Sequence, residues 1–217
     1  MKLFVKLILD IFDKQTEKKI NFYLKKIFID TIPVVIDVGS HKGEYIDNIL
    51  NNFETKKIYS FEPNPKILKI LRKKFYNFQK VEIFDYGLGE IKRGEILNDN
   101  LESSSTSINM LNKDSKYFKK KYFFLNPLKY KKISVPIKIE VITLEDFFNE
   151  QKIKIVDLLK IDTEGYEFKV LKGLGKHIAK VRFIHFEHHF DDMIIKNYNL
   201  SEIHDLLRNI ILKKFLK

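Results

Sequence analysis

The sequence predicts an α/β fold, with a doubly wound, mainly parallel sheet and helices on both faces, on three observations. Short β-branched runs alternate with helical stretches from Val34 onward. Glycine or proline stands in the strand-to-helix turns. A chain of 217 residues, 44% of them hydrophobic, suffices for one substantial core, so 1–217 is expected to form one domain and one active site.

At the start, Leu3, Phe4, Leu7, Ile8, Ile11 and Phe12 recur at helical spacing, with Lys2, Lys6, Asp10 and Lys14 between them. This amphipathic helix is expected to pack on the sheet or on a second subunit. A second helical stretch, about 17–28, runs up to Pro33, so 1–32 reads as N-terminal helices. Val34–Val38 is a buried strand, followed by a glycine turn and a helix over about 43–53. Lys57–Phe61 is a second strand, and Pro65 opens a helix through Lys74, since proline suits a first helical turn. Val81–Phe84 is a third strand.

Residues 90–132 break the rhythm, with the polar run Glu102-Ser-Ser-Ser-Thr-Ser107 and then a basic, aromatic stretch from Lys113 to Lys132. So long a segment reads as an insertion or a lid. Order returns with a strand near Lys138–Val141, a helix capped by Thr143, a strand over Ile155–Ile161 and a helix over Glu164–Leu174. The strand Val181–Phe186 and a helix from Ser201 follow. Strands alternating with helices pair in parallel through right-handed crossovers.

The absence of cysteine excludes a disulfide framework and a cysteine-rich zinc site. Lys6 and Asp10 interrupt the apolar start, and nothing approaches the roughly 20 apolar residues of a membrane span. We therefore expect a cytoplasmic protein without a membrane span. A net charge of +11 raises nucleic acid as a partner, but Arg72, Arg93, Arg182 and Arg208 are the only arginines. A nucleic-acid reader uses guanidinium forks, so nucleic acid is disfavoured. The apolar run Ile210–Leu216 leaves a homo-oligomeric contact open.

In an open parallel sheet the ligand lies beyond the carboxyl ends of the strands, where the strand order switches. The first strand runs into Asp37-Val-Gly39-Ser40-His41-Lys-Gly43. This Gly-x-x-x-Gly spacing lacks the central glycine that cradles a pyrophosphate, which disfavours NAD; it suits a ligand loop or an ordinary turn equally. The second strand ends at Glu62, a little over 20 residues beyond Gly39, an offset suited to accepting hydrogen bonds from ribose hydroxyls.

From Val34 to His188 the chain resembles the FkbM-type family of class I methyltransferases. The resemblance rests on Asp-Val-Gly-Ser-His-Lys-Gly, Phe61-Glu-Pro-Asn64, Tyr86-Gly-Leu-Gly89, Ser103-Ser-Ser-Thr106, Thr143-Leu-Glu-Asp146, Leu159-Lys-Ile-Asp-Thr-Glu-Gly-Tyr-Glu167 and Phe186-Glu187-His188. The Lys-Ile-Asp-x-Glu-Gly-x-Glu string is the most specific of these; family members commonly carry Asn where this chain has His41. The resemblance implies an S-adenosylmethionine pocket serving O-methylation of sugars or natural products. By position, Asp37, Gly39 and Gly43 surround its methionine part with Ser40 and His41, Glu62 takes the ribose, and Asp162 belongs to the same set. Asp85 and Tyr86 lie near the adenine on that reading, or simply form a turn before Gly87.

An alcohol must lose its proton as the methyl bond forms, so candidate bases are Asp162, Glu164, Glu187, His188 and His189, at the ends of two strands. His188 ranks first because imidazole titrates near neutrality, with Asp162 and Glu187 as the other catalytic candidates. Those three residues also suit a divalent cation, a reading we do not favour; Glu167 reads as solvated. The expected function is O-methylation of a hydroxyl on a sugar or sugar nucleotide, in surface-glycan synthesis. The lysines and aromatics of 113–132 offer contacts for a diphosphate and a ring face, or form a charged solvated loop. The alternatives are a non-catalytic nucleotide-binding or assembly module and an RNA methyltransferase.

Overall fold

The computed structural model describes residues 2–100, 106–109, 112, 114–115, 119, 134–187 and 194–215, by backbone alone at 2–14, 100, 134 and 209–215. The chain begins with α1 (Lys2–Ile27), a single helix where two were expected, because no proline or glycine interrupts it. Then come β1 (Val34–Val38), α2 (Glu44–Asn52), β2 (Lys57–Phe61), α3 (Pro65–Lys74) and β3 (Val81–Phe84). Asn64 caps α3 by accepting the Lys66 N–H at 3.0 Å, with Pro65 in the first turn.

The break in rhythm after β3 is a small second sheet. Strands β4 (Gly87–Gly89) and β5 (Arg93–Asn100) lie on either side of β6 (Ser134–Thr143), β4 parallel and β5 antiparallel to it. The expected insertion at 90–132 therefore opens with a strand. Its eight-residue pairing with β6 is a long-range contact that alternation along the chain does not reveal. The rest comprises α4 (Leu144–Glu150), β7 (Val156–Ile161), α5 (Glu167–Lys172), a 3₁₀ turn at Gly175–Lys180, β8 (Val181–Phe186) and α6 (Leu200–Phe215). Thr143 caps α4 as its sequence predicts, accepting the Asp146 N–H at 2.9 Å. Helix α5 starts later than expected, because Glu164 and Gly165 hold left-handed φ angles of 52° and 90° that no helix continues through.

The main sheet has the order β3-β2-β1-β7-β8, with every neighbouring pair parallel. Alternation along each strand divides its two faces. Val35, Ile58 and Leu158 pack beneath α1, α2 and α3, against Leu24, Ile46, Ile49 and Leu71. Ile36, Leu159 and Ile161 pack beneath α4, α5 and α6, against Phe147, Leu171 and Ile203. Because β1 passes to β2 on one side and pairs with β7 on the other, the strand order reverses at β1, which opens a crevice at the carboxyl ends of both strands. Among the described residues no helix is long and apolar enough to cross a membrane.

Candidate active site

A cleft of about 720 Å³ occupies that crevice. Its walls are Gly39–His41 after β1, Glu62 after β2, Tyr86 after β3, Asp162 after β7 and Glu187 after β8. Helix α1 closes one side with Thr16, Glu17 and Ile20; it is tied to α2 by reciprocal Asn21–Asn48 amide hydrogen bonds of 2.7 and 2.9 Å.

Glycine is required at Gly39, whose φ is +76° and where a Cβ would meet the Asp162 carbonyl oxygen at 1.8 Å. That approach brings the loops after β1 and β7 together. The Gly39 and Ser40 N–H groups both donate to Phe61 O, and Ser40 Oγ donates to Asp37 O at 2.9 Å while accepting from Ser60 at 2.8 Å. His41 follows with a left-handed φ of 49°, which aims its N–H at Glu62 Oε2, 2.9 Å away. The other Glu62 oxygen accepts the Asn64 N–H at 2.8 Å. Burial pushes the Glu62 carboxyl above its ordinary value, against the lowering effect of these two backbone donors. Each oxygen keeps a lone pair for a ligand in the cleft. Burial also pushes Glu44 up, but the hydrogen bond with His41, a backbone hydrogen bond and the charges of His41 and Lys74 together hold it down at about 2.

At the centre lies Lys160, a residue the sequence reading passed over. Its ammonium donates to Gly39 O at 3.1 Å and forms ion pairs with Asp37 Oδ1 at 3.1 Å and Asp162 Oδ2 at 3.5 Å. Desolvation disfavours the charge, but Asp37 and Asp162 more than compensate and raise the Lys160 pKa above its ordinary value. The available signal was a lysine inside β7, a strand buried at all six positions. Tyr45 of α2 and His185 of β8 stand beside it and join at 3.3 Å.

Glu167 is not solvated. It is completely buried, and its Oε1 accepts the Thr163 N–H at 3.1 Å, the Thr163 hydroxyl at 3.2 Å and the Gly165 N–H at 2.9 Å. Tyr198 donates to its other oxygen, so this carboxylate shapes the turn from Asp162 to Gly165. The same turn is gripped from residues 106–109: Ser107 Oγ donates to Glu164 O at 2.7 Å and the Asn109 amide to Gly165 O at 2.6 Å. Leu97, Thr106, Ser107 and Ile108 therefore join the cleft wall, although they belong to the expected insertion.

Gly39, Ser40, His41, Glu62, Tyr86, Asp162, Glu164 and Glu187 all line the cleft. Asp37 lies behind the wall, fully buried against Lys160, and Gly43 packs on Phe75 and Leu71. Asp85 is not brought to the cleft: it is half exposed and pairs with Arg72 at 3.4 Å outside it. Strand β3 ends at Phe84, which leaves Asp85 pointing out and Tyr86 in. His188, His189 and most of 113–132 lie outside the described residues. Among the described residues no three His, Asp or Glu side chains converge as a metal site.

A parallel sheet with a glycine turn after its first strand, a buried acid after its second and a cleft at the strand-order switch places the chain in the Rossmann-like class, whose ligands bind at that switch. The chain matches the family model described as Methyltransferase FkbM domain over residues 37–211. It therefore belongs to the FkbM methyltransferase family, and methyl transfer is the chemistry that this membership assigns. It is similar to the 2-O-methyltransferase NoeI of Sinorhizobium fredii (strain NBRC 101917 / NGR234), 23% identical over 81% of this chain and 71% of that protein. It is also similar to Methyltransferase 1 of Beauveria bassiana (strain ARSEF 2860), 25% identical over 72% of this chain and 68% of that protein. The crystal structure of methyltransferase FkbM from Methylobacillus flagellatus KT aligns with a TM-score of 0.43 at 15% identity, over 68% of this chain and 30% of that one. This chain thus spans under a third of the solved protein's length.

Proposed function

We propose that the chain is an S-adenosylmethionine-dependent O-methyltransferase acting on a hydroxyl of a sugar or sugar nucleotide. Glu62 carries the donor assignment: a buried carboxylate at the end of β2, each oxygen fixed by one backbone N–H and able to accept once more from a ribose diol. The donor set fits the rest of the molecule as well. Ile67, Leu97 and Tyr86 offer an apolar bed for a base, and the volume lies in the range of small-molecule sites. Carboxylates at Glu44, Glu62 and Asp162 suit a cationic ligand, although the chain as a whole carries +11.

When bound, S-adenosylmethionine supplies an electrophilic methyl group on sulfur. The protein's task is then to align donor and acceptor and to remove one proton. Gly39–His41 and Glu62 hold the donor, Lys160 fixes Asp162 beside it, and α1 with the 106–109 segment shields the cleft from water. Transfer to an oxygen draws support from the relative named a 2-O-methyltransferase.

Thermal unfolding with and without S-adenosylhomocysteine tests the reading. At a hundredfold excess over its dissociation constant the ligand should add about 2.7 kcal/mol of stability. Glu62→Ala should weaken binding in calorimetry by about 1 to 3 kcal/mol, because the ribose loses a charged acceptor. A shift with ATP alone would favour the nucleotide-binding module instead, and methylation of RNA with no product from any glycoside would favour the RNA enzyme.

A further inference from the structure

Four polar residues lie in one row across the main sheet. Ser60, Asp37, Lys160 and His185 are register partners on β2, β1, β7 and β8, so their side chains leave the sheet on the same face, beneath α2. Ser60, Asp37 and Lys160 are buried and His185 is partly so, and polar groups withdrawn from water are costly unless each has a task. Ser60 and Asp37 have theirs in the loop after β1 and in the ion pair with Lys160. Lys160 has its task in holding the Gly39 carbonyl and neutralising Asp37 and Asp162.

His185 differs from these. Its ring lines the cleft, and its Nδ1 lies 3.3 Å from the Tyr45 hydroxyl, with the two rings 5.7 Å apart and tilted by 49°. Its Nε2 makes no hydrogen bond among the described residues and is not sealed from the cleft. Resting on the methyltransferase reading above, we propose that His185 Nε2 takes the proton of the acceptor hydroxyl, and that Tyr45 positions it by accepting from Nδ1–H. That tautomer leaves the Nε2 lone pair facing the cleft.

The charged and titratable groups around the imidazole support this role. Lys160 faces it from β7, Asp162 from the turn that follows, Asp37 from β1 and Tyr45 from α2, while Glu17, Glu44 and Glu187 line the same cleft. Burial and then Lys160 lower its pKa, against the raising effect of Asp162 and Asp37, so the ring is neutral at pH 7. Asp162 Oδ2 is already paired with the Lys160 ammonium at 3.5 Å. In the step itself the hydroxyl O–H bond breaks and its proton passes to Nε2. The oxygen forms a bond to the sulfonium methyl, and the carbon–sulfur bond breaks with its electron pair left on sulfur. An imidazolium, a methyl ether and a neutral thioether result.

Nitrogen-15 NMR of histidine-labelled full-length protein, with H185Q supplying the assignment, reads the tautomer without any acceptor. The neutral ring of the wild type should carry its proton on Nδ1 and titrate below 6.5, its ordinary value, and Tyr45→Phe should return it to the Nε2–H form common in water. A wild-type ring already in the Nε2–H form, or one unmoved by Tyr45→Phe, overturns the proposal. In methyl transfer from S-adenosylmethionine to a panel of methyl glycosides, H185Q should lower kcat about a hundredfold, with affinity for S-adenosylhomocysteine within about twofold of the wild type. Tyr45→Phe should lower kcat less and leave KM unchanged. Full kcat in H185Q with donor binding intact removes the base alone; failure of the wild type to bind S-adenosylhomocysteine removes the donor reading and the base with it.

Discussion

At Lys160, burial and charge compensation oppose each other, and the balance makes a prediction. An ammonium with under a tenth of its side chain exposed holds a carboxylate that is almost wholly buried. Lys160→Met should cost about 3 to 5 kcal/mol in urea unfolding, because Asp37 is left charged without a partner. Adding Asp37→Asn should recover a large part of that loss, since the double variant buries no net charge. A double variant whose loss equals the sum of the Lys160→Met and Asp37→Asn losses would show that the pair does not couple. The histidines set the acid side of the stability curve. Burial lowers the pKa of both His185 and His177 below the ordinary 6.5, so the unfolded chain takes up protons first. Their contribution is complete above 6.5 and is lost as pH falls from there through the folded values. Melting temperatures measured between pH 7.5 and 5 should therefore fall, and H185Q should flatten part of that slope.

At the scale of the elements, the contact between the loops after β1 and β7 does most to build the cleft. Gly39→Ala puts a methyl group 1.8 Å from the Asp162 carbonyl and forces a left-handed φ on alanine. It should cost about 3 kcal/mol or more and lower donor affinity together with the melting temperature. A Gly39→Ala protein as stable as the wild type would mean that the loops can separate freely. The strands and helices around this contact were legible in the sequence, because β1, β2 and β7 are apolar runs with turn residues behind them and the caps at Asn64 and Thr143 obey local rules. The second sheet was not legible, since its pairings join residues far apart in sequence, such as Leu97 with Ile137. Glu167 was misread for a related reason. A glutamate two residues after a glycine resembles a solvated helix start until Tyr198, 31 residues further on, closes over it.

Across the whole molecule, the charge of the chain and the charge of its cleft have opposite sign, and this bears on the acceptor. The chain carries +11, yet the cleft is lined by Glu17, Glu44, Glu62, Asp162 and other carboxylates, while Lys160 is already held by two of its own. Each like-charged pair about 8 Å apart costs about 2 kcal/mol at an effective dielectric constant of 20, so a diphosphate placed there meets several such costs and gains no free ammonium from Lys160. A neutral glycoside meets none of them and finds carboxylates ready to accept from its hydroxyls. The cleft wall was legible in the sequence at Gly39, Glu62 and Asp162, which follow strand ends, but this sign was not, because it emerges only when α1, α2 and the loops after β2 and β7 bring their acids to one cavity. We therefore expect a neutral methyl glycoside to show at least about a tenfold lower KM than the nucleotide-diphosphate form of the same sugar, a difference of about 1.4 kcal/mol. The preference should shrink as salt rises from 20 to 500 mM, as screening weakens the repulsion. If the nucleotide sugar is the better acceptor at low salt, the phosphates are held by cations outside the described wall. The lysines between 113 and 132 are then the first to replace, and charge-neutral variants there should raise the KM for the nucleotide sugar while leaving S-adenosylhomocysteine affinity unchanged.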